Sequence, residues 1–195
     1  MIMKTTRLLS LAALGLSLLF AATGQAAQPA NLLKHADLPA GVEAAKDPWQ
    51  FSLWLLTDEQ KSGDQIQWGV ATQDDSSRAL QIRTTVPFKS QLWWQQRLPV
   101  SGSGHYHFSV KAKVTTQSPA TRAQTNVGLY FLGEGNRWLT FVPLKNTAIA
   151  GDGWVELSGK IVAPEEATVV TARLGVEFTG ETEVLFKDPV LTLVP

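Results

Sequence analysis

The chain has 195 residues, with 17 Lys and Arg against 17 Asp and Glu, and no cysteine. Balanced charge without a basic stripe or charge run argues against a nucleic-acid partner, and the lack of thiols excludes a disulfide framework, thiolate metal sites and a lipid-anchored cysteine. Seven tryptophans and eight phenylalanines against two tyrosines and two methionines suggest a β-rich domain stabilised by core packing, with more tryptophan than core filling usually requires.

Lys4 and Arg7 precede an apolar run over 8–20, and Gly24-Gln25-Ala26 offers a small-residue cleavage site. That order is a cleavable export signal over residues 1–26, too short and wrongly flanked for a membrane anchor. The expectation is one mature domain over 27–195, periplasmic or secreted, with no membrane span after cleavage. Losing Lys4 and Arg7 leaves 15 basic against 17 acidic residues, a net charge near −2.

Residues 28–30 read as a short tail, and 41–46 could form one helical turn. Beyond them no segment sustains a helical period. Short alternating runs predict strands over 65–70, 79–85, 91–98, 105–114, 125–132, 137–142, 154–162, 168–178, 183–186 and 190–194. Turn signals separate them at Asp74-Asp75-Ser76-Ser77, Ser101-Gly102-Ser103-Gly104, Gly133-Glu134-Gly135-Asn136 and Gly151-Asp152-Gly153. So many strands with short connections predict an all-β, two-sheet antiparallel β-sandwich of jelly-roll form, since a parallel sheet needs helices between strands. Val170, Ala172, Leu174, Val176 and Phe178 should point inward, as should Tyr106, Phe108, Val110, Ala112 and Val114. Trp49, Trp54, Trp68 and Trp154 are expected in the core.

The segment 91–98 carries the clearest functional signal. It reads as the first strand of a β-hairpin that turns through 101–104 into the strand beginning at His105. Leu92, Trp94, Gln96 and Leu98 fall on one face and can pack, whereas Trp93, Gln95 and Arg97 fall on the other and can bind. An indole stacks on the apolar face of a pyranose, and amide and guanidinium groups offer donors in fixed directions. The alternative is that both tryptophans only pack. Tyr130, Arg173 and Glu177 could join this face from neighbouring strands, and Trp138 should sit at a sheet rim. An Arg173–Glu177 pair on a solvated sheet is the plainer reading of those two charges. Arg97 and Arg173 admit an acidic glycan, and a neutral glucan or xylan fits equally.

Four pieces in order carry a resemblance: Asn31-Leu32-Leu33-Lys34-His35-Ala36-Asp37-Leu38-Pro39, Gly104-His105-Tyr106-His107-Phe108-Ser109-Val110-Lys111-Ala112-Lys113, Gly153-Trp154, and Val184-Leu185-Phe186-Lys187-Asp188-Pro189-Val190-Leu191. Together they resemble the jelly-roll, galactose-binding-domain-like carbohydrate-binding modules of families 4, 9 and 22, often joined to bacterial xylanases and glucanases. The resemblance implies noncatalytic binding of a polysaccharide along the concave face of one sheet. It also implies a structural calcium site, but here Pro39 and Lys187 replace acidic residues of the family pattern. Asp37 and Asp188 are then the only evident carboxylates, too few for a cation that takes six to eight oxygens. No cofactor or metal is expected.

His105 and His107 share a strand face and offer two nitrogens, without an evident third ligand. Glu134, Asp152, Glu156, Glu165, Glu166, Glu177, Glu181 and Glu183 provide carboxylates, of which a glycosidase needs two at a defined separation, and the sequence does not show which two converge. Residues 77–83 faintly resemble the arginine strand of alginate lyases, without those enzymes' Gln-x-His strand. No nucleophile elbow, phosphate loop or nucleotide fingerprint is present. The expected function is glycan binding without catalysis. The alternatives are an accessory sandwich that binds an envelope or secreted protein, or a small polysaccharide lyase.

Overall fold

Apolar and polar side chains alternating with a period of two build ten strands, whose apolar faces can be buried only by stacking two sheets. A computed structural model describes residues 29–38, 48–52, 56–62, 64–85, 89–116, 120–149, 151 and 153–195. The expected export signal, the 41–46 segment and Trp54 lie outside these residues. The strands are β1 (Gln50–Phe51), β2 (Ile66–Thr72), β3 (Arg78–Thr84), β4 (Lys89–Pro99), β5 (His105–Thr116), β6 (Ala123–Leu132), β7 (Trp138–Pro143), β8 (Val155–Val162), β9 (Val169–Thr179) and β10 (Thr182–Val194). One sheet has the order β1-β4-β9-β6-β7 and the other β2-β3-β10-β5-β8. All pairings are antiparallel. The short helix α1 (Asp58–Ser62) begins with a reciprocal cap, in which Thr57 N–H donates to Gln60 Oε1 and Gln60 N–H to Thr57 Oγ1.

The inward residues expected of β5 and β9 are all buried between the sheets, together with Leu92, Trp94 and Leu98 of β4. Each Val, Leu or Phe among them contributes roughly 1.5–3 kcal/mol. Trp94 also ties the two layers together, because its indole Nε1 donates to the Gln81 carbonyl of β3 at 3.1 Å. Gln96, on the same face, is buried but satisfied: it accepts from Lys34 N–H at 2.7 Å and donates to the Lys34 carbonyl at 2.9 Å, pinning the N-terminal segment.

Two core expectations need correction. Trp49 is fully buried, but Trp68 is half-buried at the core's margin, stacked on Phe51 with centroids 4.8 Å apart. Trp154 is also half-buried, just before β8, with Lys187 Nζ 4.4 Å from its ring centroid. At that position the indole packs against a lysine rather than filling the core.

The expected 91–110 hairpin does not form. β4 pairs with β1 and β9, whereas β5 pairs with β10 and β8 in the other sheet. Residues 100–104 form a corner between layers, held by Val100 N–H on the Thr168 carbonyl and Ala163 N–H on the Gly104 carbonyl. Gly102 fits there because any Cβ would overlap the Glu165 backbone carbonyl. Gly102→Ala should therefore destabilise the sandwich by about 1–3 kcal/mol, read as a lower urea midpoint. An unchanged midpoint would mean that the corner yields freely.

The opening and closing pieces of the sequence pattern meet in space. β10 bulges between Lys187 and Val190, where Asp188 adopts φ 54°. The Asn31 side chain fills the bulge, donating to the Pro189 carbonyl at 3.0 Å and accepting from Leu191 N–H at 2.9 Å.

Candidate functional site

The outer face of the β1-β4-β9-β6-β7 sheet follows from its register. Trp93 lies opposite Gly175, Gln95 opposite Arg173, and Arg97 opposite Thr171. From the other side of β9, Asn126 faces Gly175, Gly128 faces Arg173 and Tyr130 faces Thr171. Phe141 of β7 completes the rung of Tyr130. Two glycines sit on adjacent rungs of this face, where neighbouring atoms approach closely. A Cβ at Gly175 would lie 2.6 Å from the Asn126 carbonyl oxygen, and one at Gly128 would lie 2.9 Å from the Phe141 ring.

The result is a groove of about 520 Å³ that brings together Trp93, Gln95, Arg97, Tyr130 and Arg173. Gln91, Leu132 and Thr171 complete its lining. Gln91, Thr171 and Leu132 share the parity of their predicted neighbours on the same strands and are readable from it; Phe141 depends on how β6 and β7 pair. Trp138 is not in this groove but lies at its end, opposite Leu132 on the edge strand and 59% exposed. Glu177 lines a second cavity of about 550 Å³ with Gln124, Arg122 and Ile149. It forms no ion pair with Arg173, although its charge favours the protonated guanidinium from a distance.

Trp93 is on the outer face, as parity predicts, yet it is only 7% exposed. The Arg173 guanidinium covers it, with Cζ 3.9 Å from the ring centroid, and Phe141 approaches the same guanidinium at 5.4 Å. Gln95 Oε1 accepts from the Trp93 indole Nε1 at 3.2 Å and orients the ring. An approaching molecule therefore meets an arginine-capped indole rather than a bare platform. Arg173 Nη2 reaches Gln91 Oε1 at 3.4 Å, while its Nε is buried without a hydrogen-bond partner. Burial pulls the Arg173 pKa down, and Tyr130 and Glu177 act in the opposite direction. Stacking on the ring returns up to about 2 kcal/mol against the cost of partly withdrawing the ion from water.

Arg97 is exposed at the groove mouth and donates to Asn136 Oδ1 in the 3-10 turn Glu134–Asn136. That turn is fixed to the far loop by Arg137, whose Nη2 lies 2.6 Å from Glu166 Oε2. The rim is thus cross-braced between β4, the β6–β7 connection and the 164–168 loop.

The donor set near the β10 bulge does not suit calcium. Asp188 Oδ2 is 2.9 Å from Lys111 Nζ, and Lys187 Nζ reaches Asp75 instead of supplying an oxygen. Asp37 is exposed in the opening turn. Among the described residues no three His, Asp or Glu side chains cluster, His105 and His107 included.

No family model matches the chain, and no curated protein matches its sequence. Solved structures do share its architecture. A family 4 carbohydrate-binding module is 18% identical, with a TM-score of 0.52, over 78% of this chain and 92% of that one. A family 61 module in complex with β-1,4-galactotriose is 14% identical, with a TM-score of 0.53, over 85% and 99%. The chain has the jelly-roll fold of carbohydrate-binding modules. A third likeness, at 15% identity and a TM-score of 0.53, is to the family 22 and glycoside hydrolase family 10 modules of Clostridium thermocellum xylanase 10B, complexed with xylohexaose. It covers 76% of this chain but only 26% of that one. At these identities the likeness establishes the fold alone.

Proposed function

We propose that this protein is an exported, noncatalytic glycan-binding module that holds a polysaccharide chain in the groove over β4, β9 and β6. The carrying observation is that Trp93, Gln95, Arg97, Tyr130 and Arg173, drawn from three strands, line one groove on a carbohydrate-binding-module fold. The groove has the ingredients sugars require: aromatic surface, amides, a phenol and guanidinium donors, converging from rigid strands. The export signal expected over 1–26 puts such a module in the periplasm or outside the cell, where glycans are found. No described helix is long and apolar enough to cross a membrane.

The noncatalytic reading is supported by the charge of the face. Among the described outward residues of β4, β6, β7 and β9, Glu177 is the single carboxylate, whereas glycoside hydrolysis ordinarily uses two flanking the scissile bond. Metal independence belongs to the proposal as well: stripping the protein with EDTA should leave its melting temperature and glycan binding unchanged. A fall in either on chelation would reveal a bound cation.

The experiment is affinity electrophoresis of the mature protein through gels containing soluble glucans, xylans, mannans or uronates. Retardation by at least one polymer supports the reading. Uniform mobility in all of them, with the fold intact, would instead favour a protein partner docking on the same face, with the exposed Trp138 as its anchor.

A further inference from the structure

We propose that the groove is built for an acidic glycan, with the carboxylate of a uronic acid residue seated against the Arg173 guanidinium. The inference rests on the glycan reading above and deepens it. Ions drawn out of water in proteins are paired or hydrogen-bonded, and the half-buried Arg173 has no ion-pair partner among the described residues. Among the described residues its hydrogen bond is the 3.4 Å contact to the neutral Gln91 amide, and no carboxylate lies within ion-pairing distance. Glu177, four residues along the same strand, lines the other cavity.

The rest of the groove points the same way. A second guanidinium, Arg97, stands on the next rung opposite Thr171, and its acceptor is the neutral Asn136 amide. The lining thus carries two cations and no acidic side chain. Such a wall attracts anions and repels cations before any contact is made. With Trp93 against its face, Phe141 nearby and its Nε buried, the guanidinium offers a ligand its terminal Nη edge. A planar carboxylate matches that edge with two parallel hydrogen bonds, and the remaining hydroxyls of the sugar meet Gln91, Gln95, Tyr130 and Thr171. The missing counter-charge of Arg173 is then supplied by the ligand.

The test is calorimetric titration of the mature protein, at low salt, with oligogalacturonate, oligomannuronate and glucuronoxylan oligosaccharides. Each is compared with the same oligosaccharide after its carboxyl groups have been reduced to alcohols. At least one native acid should bind about tenfold or more tighter than its reduced form, and added salt should erode that preference. Arg173→Gln should abolish the preference, and Arg173→Lys should not restore it, because an ammonium lacks the planar fork. Should the Arg173 variants fail to fold, Arg97→Gln alters an exposed side chain and should reduce the preference severalfold with the fold intact. Equal binding of native and reduced forms would overturn the acidic-ligand inference while leaving glycan binding standing, as would binding confined to neutral glucans or xylans. Binding to no acidic or neutral glycan would overturn both.

Discussion

Trp94→Ala is expected to cost the sandwich about 3–5 kcal/mol, comparable to the whole stability of a weakly stable domain. The indole is 2% exposed and lies 5.3 Å from the Phe51 ring. Its removal leaves a cavity between the sheets and also deletes the hydrogen bond to the Gln81 carbonyl that links β4 to β3. Trp94→Phe should recover part of the loss, because it refills most of the cavity but cannot donate that hydrogen bond. Urea unfolding monitored by far-ultraviolet circular dichroism measures both variants. A Trp94→Ala protein within 1 kcal/mol of the parent, a margin well below the ordinary cost of a large-to-small core change, would mean that the two layers do not pack as described.

Its sequence neighbour should behave in the opposite way. Trp93→Ala is expected to weaken glycan binding by at least about tenfold while lowering the melting temperature by only a few degrees, as loss of roughly 1–2 kcal/mol of stacking would. The reason lies in what Trp93 supports. It carries the Arg173 guanidinium at 3.9 Å and is itself steadied by Gln95, so its loss releases the central arginine of the groove. The melting curve and a binding isotherm of the same preparation separate the two effects. Collapse of folding in Trp93→Ala would assign this residue to the core instead.

The contrast between these two tryptophans marks what the sequence could and could not disclose. Parity along 91–98 placed Trp94 inward and Trp93 outward, and the same rule placed all five inward residues of β9 correctly, because side-chain direction alternates strictly along a strand. Parity does not say which strands pair. β4 and β5 each alternate cleanly and are joined by a glycine-rich turn, a pattern shared by a hairpin and a corner between sheets. Only the second brings Trp93 beside β9 and therefore under Arg173. Neither composition nor spacing signals that an indole expected to be a bare platform is capped by a guanidinium from another strand. Trp138 was placed at a rim by the turn before it, and it lies on the edge strand. Parity alone groups Glu177 with Arg173, since both point outward from β9, yet the Gly175 rung lies between them and each lines a different cavity.

The pairing of Asn31 with the β10 bulge shows a different kind of legibility. The opening and closing motifs are individually weak, but the Asn31 side chain, 158 and 160 residues from its partners, bonds to both sides of the bulge and so links the two. A motif order that carried the fold by resemblance is thus also a physical contact. The departure at Lys187 has a physical counterpart as well: a lysine that packs on Trp154 and reaches Asp75 stands where the family pattern has an acidic residue.

The measurement that bears most directly on the central claim is a titration of intrinsic tryptophan fluorescence in the mature protein against soluble glucans, xylans, mannans and uronates, repeated with Trp93→Ala. A ligand entering the groove must disturb Arg173 over the Trp93 ring, so a saturable change with at least one polymer is predicted, absent from the variant. No change with any polymer, or an equal change in Trp93→Ala, would contradict glycan binding in this groove.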